Sequence, residues 1–279
     1  MIPMTAKAQS ILTNGITKTA EGKAKKDDLK HKDPEFWWEE VIPESQAIFF
    51  AESKGKTTSI YIIRHGKTKL NTIRGSESKD FIRGWTDVPL DETGEKQAEE
   101  IAEFLKNDEI TKVYTSDLQR AHRVARELAK ERHIPLVTSH LFRPWNLGVF
   151  TAKETAKVLP EIAKYITDKP YEPVPEGEAF MTFCDRYIPM LKAIMMDIEN
   201  GKMGNVALST HYRCIKATEA WLENVGRGTG NQVNSDVMLQ DSMPVGTILK
   251  LSWDPMIRKW GYLILKCMTD APMEDKRES

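Results

Sequence analysis

Hydrophobic and polar positions follow two alternating patterns after residue 58, and together these patterns predict an α/β fold. Short apolar runs such as SIYII and NVALST are typical of buried strands. The segment DETGEKQAEEIAEFLKN instead has apolar residues at helical spacing, so one face of the helix is apolar. Strand and helix segments alternate along the chain, which predicts a three-layer α/β/α domain with a mostly parallel sheet and helices on both faces.

Local signals predict the ends of several elements. DLQRAHRVARELAKER predicts a helix that begins at Asp117 or just before it, with Ser116 as its N-cap. A later helix, in the segment AFMTFCDRYIPMLKAIMMDIENG, is expected to end at Gly201. The dipeptide Asp254-Pro255 lies between two apolar runs near the C-terminus, which predicts a β-hairpin there.

The segments on either side of this domain differ from it in composition. TKTAEGKAKKDDLKHKDP is polar and charged, as in a solvated arm, and the aromatic cluster EFWWEEVIPESQAIFF follows it. We interpret residues 1–55 as a partly ordered N-terminal arm, residues 56–270 as the domain and residues 271–279 as a polar tail. The aromatic cluster either packs on the domain or docks a second copy or another protein, and we favour packing.

Composition narrows the classes of partner. The 40 Lys and Arg residues balance 41 Asp and Glu residues, so no global charge favours nucleic acid or an anionic membrane surface. No apolar run approaches membrane-spanning length, and the N-terminus lacks the pattern of a signal peptide. Three widely spaced cysteines, Cys184, Cys214 and Cys267, predict free thiols and a cytoplasmic protein. Any electropositive site must therefore be local.

Basic side chains follow the predicted strands directly. Arg64 and His65 come after SIYII, and His211 comes after NVALST. Arg120 lies on the first turns of the helix that follows TKVYTS. Ligands of open α/β sheets bind beyond the carboxyl ends of the strands, so we expect these four side chains to meet there.

Two arginines beside two histidines suit a phosphoryl group. Arginine forks match its shape and charge, and a neutral imidazole attacks phosphorus to give a phosphohistidine. Arg64 and Arg120 would lower the pKa of His65 and keep it neutral. His211 would donate hydrogen bonds to the phosphoryl oxygens. Because the protein supplies the cations, we expect neither a metal ion nor a cofactor.

Four motifs in order resemble those of the histidine phosphatase superfamily, which has the phosphoglycerate mutase-like fold. They are RHGKTKLN, RGWTDVPLDETGEKQA, YTSDLQRAHRVA and VALSTHYRCI, and the resemblance runs from about Ser59 to about Leu265. It implies a small phosphorylated substrate and His65 as the phosphoacceptor. The other implied site residues are Arg64, Arg120 and His211 in the pocket, Thr68 and Asn71 at its mouth, and Arg83 as a further substrate contact.

The chain departs from this family pattern at the proton donor. A Glu is expected four residues before Gly148, in the stretch LFRPWNLG, but Pro144 stands there. Three carboxylates are candidate replacements: Glu178, Asp117 and Asp87. We rank Glu178 first, although a position at a helix N-terminus lowers the pKa of a carboxyl group. Asp117 is expected to cap a helix and Asp87 to stabilise a turn.

Two further departures affect the pocket mouth. The segment TIRGSESKDFIR, between Asn71 and Gly84, is longer than in the mutases of the family, so specificity cannot be carried over from them. Tyr212 and Arg213 replace small residues after His211. Their bulk narrows the pocket, and Arg213 either contacts a phosphate or carboxylate of the substrate or lies on an exposed helix face.

The leading hypothesis is a metal-independent phosphatase that hydrolyses a small phosphate monoester through a phosphohistidine on His65. One alternative is a phosphoglycerate mutase-like phosphotransferase, which returns the phosphoryl group to another oxygen. The other alternative is a catalytically weak, phosphate-binding or structural protein that interacts with partners, or with a second copy, through its N-terminal arm.

Overall fold

The structure, a computed structural model, describes most of the predicted domain. The described residues are 37–53, 55–71, 73–74, 77–78, 80–130, 132–224, 230–240 and 243–268. Residues 1–36 of the predicted arm and the whole predicted tail lie outside them. The boundaries at 55 and 270 therefore stay predictions.

Within the described residues, strands and helices follow one another in the predicted α/β manner. The strands are β1 (Trp37–Val41), β2 (Thr58–Arg64), β3 (Ile73–Arg74), β4 (Glu77–Ser78), β5 (Lys112–Thr115), β6 (Leu136–Thr138), β7 (Val206–Thr210), β8 (Ile248–Asp254) and β9 (Lys259–Met268). The helices are α1 (Ala47–Glu52), α2 (Glu92–Phe104), α3 (Gln119–Lys130), α4 (Thr155–Thr167), α5 (Phe180–Glu199), α6 (Tyr212–Leu222) and α7 (Ser235–Leu239). Short 3-10 turns cover Glu44–Gln46, Lys69–Asn71, His140–Phe142 and Gly148–Phe150.

One seven-stranded sheet, in the order β1-β9-β8-β2-β7-β5-β6, forms the centre of the domain. The pairs β2–β7, β7–β5 and β5–β6 are parallel, whereas β2–β8, β8–β9 and β9–β1 are antiparallel. The predicted α/β class is confirmed. Five of the seven strands, β2, β5, β6, β7 and β9, run in the same direction, and β1 and β8 run in the opposite one. The tight turn between β8 and β9 permits only antiparallel pairing, and β1 adds a second antiparallel partner to β9.

Alternate residues of β2 point to opposite faces of this sheet. Ile60 and Ile62 belong to an apolar cluster that includes residues of α4, α5 and α6, whereas Tyr61 and Ile63 belong to one that includes residues of α2 and α3. Because helices cover both faces, the predicted three layers are confirmed. A strand buried on both faces requires the near-continuous apolar sequence of SIYII.

The C-terminal part of the predicted arm is joined to the sheet. Strand β1 pairs with β9 and forms one edge. Phe49 is buried against β9, where Gly261 makes room for it: a Cβ at that position would lie 2.0 Å from Phe49 Cδ1. Packing of the aromatic cluster is thus confirmed for Phe49.

Most predicted element ends agree with the structure. Helix α5 ends at Glu199 beside Gly201, which has a positive φ, and a hairpin joins β8 to β9 after Asp254. Helix α3 begins at Gln119, two residues later than predicted, and Ser116 Oγ accepts a hydrogen bond from Leu118 N. No helix among the described residues is long and apolar enough to cross a membrane.

Candidate active site

Four basic side chains meet at the carboxyl end of the parallel strands, as the strand order requires. Arg64 ends β2, His65 follows it, His211 follows β7 and Arg120 lies on the first turn of α3. Each is at most 6% exposed. The two imidazole rings are 5.2 Å apart between centroids, and Arg120 Nε lies 3.2 Å from His65 Nε2. We call these four residues the anion pocket.

The hydrogen bonds of His65 define its tautomer. Its Nδ1 lies 2.7 Å from the carbonyl oxygen of Gly66, which can only accept, so Nδ1 carries the proton. The lone pair of the neutral ring is then on Nε2, where Arg120 donates to it. Burial, followed by the charges of Arg120, Arg83 and Arg64, lowers the pKa of His65 well below its usual value. The ring is therefore neutral near pH 7.

His211 is buried without any hydrogen-bond partner for either ring nitrogen among the described residues. Burial, then the charges of Arg120, His65 and Arg83, lowers its pKa well below the usual value. A buried polar group without a partner is costly. This imidazole therefore fits a ligand that accepts or donates a hydrogen bond at the pocket.

Arg64 has backbone partners but no carboxylate. Its Nη1 donates to the carbonyl of Met243, and its backbone N donates to the carbonyl of Thr247 at 2.8 Å. Its Nε has no partner among the described residues, and its guanidinium lies 5.2 Å from the ring centroid of Tyr212. Burial and the charge of Arg83 lower its pKa to about 10, so it stays protonated at neutral pH.

Arg120 likewise binds backbone carbonyls. Nη1 donates to Thr86 O at 2.7 Å and Nη2 donates to Gly84 O at 2.9 Å. Burial and the charge of Arg83 lower its pKa to about 9. The anion pocket therefore holds two buried cations that no carboxylate of the described residues directly neutralises, which is the electrostatic requirement for binding an anion.

The glycine of the RHG motif is required by close packing. A Cβ on Gly66 would lie 2.7 Å from Gly94 O, at the start of α2. Helix α2 also binds the next peptide, because Gln97 Oε1 accepts from Lys67 N at 2.7 Å. These contacts fix the segment that carries His65.

The predicted mouth residues are held by Asp80, which sequence reasoning missed. Asp80 Oδ1 accepts from Asn71 Nδ2 at 2.6 Å and from Arg83 Nη1 at 2.8 Å, and its Oδ2 accepts from Thr155 Oγ1 at 3.0 Å. Thr68 is fully buried, and its Oγ1 donates to Asn71 Oδ1 at 2.9 Å. The charge of Arg83 lowers the pKa of all four anion-pocket groups, so its guanidinium is part of this site. Nothing in the spacing of the chain indicated Asp80.

Arg213 is buried, which excludes the exposed helix face considered above. It is 7% exposed, and its guanidinium lies 5.2 Å from the ring centroid of Tyr212. The described residues supply neither an ion pair nor a hydrogen bond to it. Burial lowers the pKa of Arg213. The ring of Tyr212 lies near both guanidinium groups, since its centroid is 5.2 Å from Cζ of Arg213 and 5.2 Å from Cζ of Arg64.

A network of hydrogen bonds fixes residues 141–148, which we call the Pro144 loop. Arg186 of α5 donates to the carbonyls of Leu141, Arg143 and Pro144 at 3.0, 2.9 and 2.7 Å. Trp85 Nε1 donates to Pro144 O at 2.8 Å. The place of the expected Glu is therefore occupied by a well-ordered peptide group. A lone arginine in the apolar α5 sequence was the signal that could have indicated this buried role.

The three candidate acids all have other partners. Glu178 forms a fork with Arg186 (3.1 and 2.8 Å) and accepts from Asn146 N at 2.8 Å, so both of its oxygens already bind donors. These contacts give Glu178 a structural role, and its role as the acid stays a prediction. Asp117 pairs with Arg143, which lowers the pKa of Asp117. Asp87 accepts from Gln119 N at 2.7 Å and thus caps α3, the role expected of Asp117.

The described residues form a buried, cationic pocket with one neutral imidazole, whose Nε2 lone pair accepts from Arg120, and a second imidazole without a partner. Such a site can bind a phosphate-like anion and attack it with nitrogen. Among the described residues, no three His, Cys, Asp or Glu side chains are grouped so that they could hold a metal ion.

Solved structures share this architecture. The structure of a mycobacterial glucosyl-3-phosphoglycerate phosphatase has a TM-score of 0.57 at 21% identity and covers 74% of this chain and 97% of that one. A putative alpha-ribazole-5'-P phosphatase from Escherichia coli has a TM-score of 0.55 at 19% identity and covers 79% of this chain and 100% of that one. At these identities the likeness shows the fold, which defines an α/β protein of the phosphoglycerate mutase-like class.

The family follows from the sequence profile. The profile of the histidine phosphatase superfamily (branch 1) matches residues 60–237, which is more than half of the chain, so the chain belongs to this superfamily. A probable phosphoglycerate mutase GpmB of Photorhabdus laumondii is 29% identical over 150 residues, 52% of this chain and 65% of that protein. The Yersinia pestis protein of the same name is 31% identical over 124 residues, 43% of this chain and 55% of that protein. The chain thus matches little more than half to two thirds of their lengths.

Proposed function

We propose that this chain is a metal-independent phosphatase that hydrolyses a small phosphate monoester through a phosphohistidine on His65. The observation that carries the proposal is the neutral tautomer of His65, with the Nε2 lone pair inside a pocket of buried guanidinium groups. Membership of the superfamily agrees with it.

In the first step, His65 Nε2 forms a bond to phosphorus while the bond from phosphorus to the ester oxygen breaks. The electron pair of that bond leaves with the oxygen. Arg64 and Arg120 bind the equatorial oxygens, and His211 binds one more through a ring nitrogen. The hydrogen bond from Arg120 Nε to His65 Nε2 breaks when Nε2 attacks phosphorus, and Arg120 Nε then donates to the phosphoryl group.

In the second step, water attacks phosphorus and the nitrogen–phosphorus bond breaks. Inorganic phosphate leaves and a proton goes to solvent. Neutral His65 is restored, and its Nδ1–H still donates to Gly66 O. The same arginines bind the phosphoryl group in both steps, so the protein needs only one anion site.

A mutase is the second candidate, because the curated relatives in the comparison carry the name probable phosphoglycerate mutase. A mutase must return the phosphoryl group to another oxygen before water reaches it. Pro144 and the long segment between Asn71 and Gly84 alter the mouth at which such a second acceptor would bind, and this favours hydrolysis.

The decisive experiment offers the purified chain a generic aryl phosphate and measures released phosphate together with acid-labile, base-stable protein phosphorylation. Wild type is expected to release phosphate and to trap label on His65, and His65→Ala is expected to do neither. The matched control is His140→Ala, which removes an exposed imidazole.

Other outcomes separate the alternatives. Label that passes to an added phosphoglycerate faster than to water would make the chain a mutase. A further outcome is that wild type and His65→Ala both bind phosphate and turn over no ester. That result would contradict catalysis and support the third hypothesis, a protein that binds phosphate and interacts through its N-terminal arm. The β1 segment of that arm pairs with the sheet.

A further inference from the structure

Among the described residues, each of the three candidate proton donors for the leaving group is bound to another partner. Pro144 stands at the place where the superfamily pattern has Glu, and its carbonyl accepts from Trp85 and Arg186. The carboxylates Glu178 and Asp117 are paired with arginines. Some other group must therefore stabilise the charge that develops on the ester oxygen as the bond to phosphorus breaks.

Arg83 belongs to a turn that contacts both the anion pocket and the Pro144 loop. It begins the turn 83–86, in which Thr86 N donates to Arg83 O at 2.9 Å. Arg120 holds this turn from the pocket side through Gly84 O and Thr86 O. Trp85, in the same turn, donates to Pro144 O. One short turn thus connects the anion pocket to the Pro144 loop, and Arg83 is its first residue.

The guanidinium of Arg83 is fixed on one side and has unused donors on the other. Its side chain is 11% exposed, and Nη1 donates to Asp80 Oδ1 at 2.8 Å. Asp80 in turn binds Asn71 and Thr155. Among the described residues, no acceptor takes Nε or Nη2. A cation held in this way can donate to a ligand oxygen without reorganising.

We propose that Arg83 takes the place of the absent acid by binding the leaving oxygen, and that the substrates are esters with acidic leaving groups, such as aryl or enol phosphates. This inference rests on the proposed function. His65 Nε2 bonds to phosphorus, the ester bond breaks, and its electron pair stays on the leaving oxygen as an anion bound by Arg83. The anion takes a proton from water after release. An arginine stabilises this charge but does not transfer its proton, so simple alkoxides leave poorly.

The test is a leaving-group series. The efficiency of phosphoryl transfer, kcat/KM, is measured for phenyl phosphates whose phenols span a wide range of acidity and for one alkyl phosphate. The proteins are wild type, Arg83→Met, Arg83→Lys and the control Arg123→Met, which removes a partly buried, ion-paired guanidinium on α3. Thermal melting of each variant gives a separate readout of folding.

The loss in Arg83→Met is expected to grow with the basicity of the leaving group, from about 10-fold for the most acidic phenol to about 10³-fold for the least acidic. Arg83→Lys keeps the charge and is expected to recover part of the loss for the poor leaving groups, and Arg123→Met leaves the series unchanged. If Arg83→Met does not fold, the same comparison is made with Arg83→Lys alone, in which a smaller loss with the same trend is expected.

Two results overturn the inference. An equal loss for every leaving group in both variants would make Arg83 a phosphate-binding or mouth residue only, while the proposed phosphatase stands. No His65-dependent turnover of any ester by wild type would overturn the proposed function and this inference together.

Discussion

The anion pocket and the Pro144 loop are connected by the turn 83–86, but their charged side chains differ in whether they have a partner of opposite charge. In the pocket, Arg64 and Arg120 bind only carbonyls and an imidazole, and His211 has no partner among the described residues. At the loop, Arg186 has three carbonyls and also the carboxylate of Glu178. Both regions contain arginines within hydrogen-bond reach of main-chain oxygens; those of the pocket are buried, and Arg186 is partly buried.

The difference identifies which groups are available to a ligand. A paired buried ion stabilises the fold around it, and removing one partner leaves the other uncompensated. An unpaired buried ion or imidazole lowers the stability of the free protein. A bound anion supplies the missing partner and stabilises the complex. We therefore expect changes in the pocket to affect activity and changes at the loop to affect stability.

The largest expected effect is that of His211→Leu. Loss of the second imidazole should lower kcat/KM about 10²- to 10³-fold, the usual effect of removing one donor to a charged transition state. Stability should not fall, because no partner of His211 among the described residues is left unsatisfied. Chemical denaturation and aryl phosphate kinetics measure the two effects. A variant that is clearly less stable than wild type would contradict the contrast.

Arg186→Met should lower stability and leave most of the activity. It leaves Glu178 and the carbonyls of the Pro144 loop without a donor, so the free energy of unfolding should fall by about 3 kcal/mol. The proposed mechanism gives Arg186 no contact with the phosphoryl group, so the variant that remains folded should keep most of its kcat. Arg132→Met, at a partly buried arginine that binds only carbonyls, is the control. A large loss of kcat without loss of stability would place Arg186 in the active site.

The pH dependence of stability should reflect the two neutral histidines. In the unfolded chain a histidine takes up a proton below about pH 6.5. Burial lowers both pKa values in the folded protein, so the unfolded state binds more protons as the pH falls. The free energy of unfolding is therefore fully retained above about pH 6.5 and falls below it, by at most about 1.4 kcal/mol per pH unit for each histidine.

Denaturation curves at pH 7.5, 6.5 and 5.5 measure this slope. In His211→Leu the slope between pH 6.5 and 5.5 should be smaller, because one of the two groups is gone, whereas His140→Ala should match wild type. Equal slopes in all three proteins would show that His211 is not held neutral by the fold.

Glu178→Gln should have the smallest effect. The amide keeps the size of the side chain but loses the charge facing Arg186, so stability should fall by about 1–2 kcal/mol. The pH–rate profile and the leaving-group series should remain those of wild type, because our inference assigns the leaving oxygen to Arg83 and not to Glu178. Selective loss of activity toward alkyl esters would restore Glu178 as the proton donor.

The four residues of the anion pocket could be predicted because parallel strands end at a common edge. Arg64, His65 and His211 directly follow apolar strand sequences, so their convergence depends only on strand order and direction. The two apolar faces of β2 and the helical spacing of α2 likewise determined the three layers. In these cases a short-range pattern carries the information, because each side chain's position follows from its place in a regular element.

Only the tertiary structure decided which charges are paired. Glu178 and Arg186 are neighbours because α5 begins beside the Pro144 loop, and Asp80 reaches Arg83, Asn71 and Thr155 across three segments. The same holds for the burial of Arg213 and for the pairing of β1 with β9. The chemical state of a carboxylate or guanidinium depends on donors, acceptors and solvent within a few ångströms. Contacts at that range between distant segments exist only once the chain has folded, so the sequence determined which groups reach the pocket, and the packing determined which remain free to act.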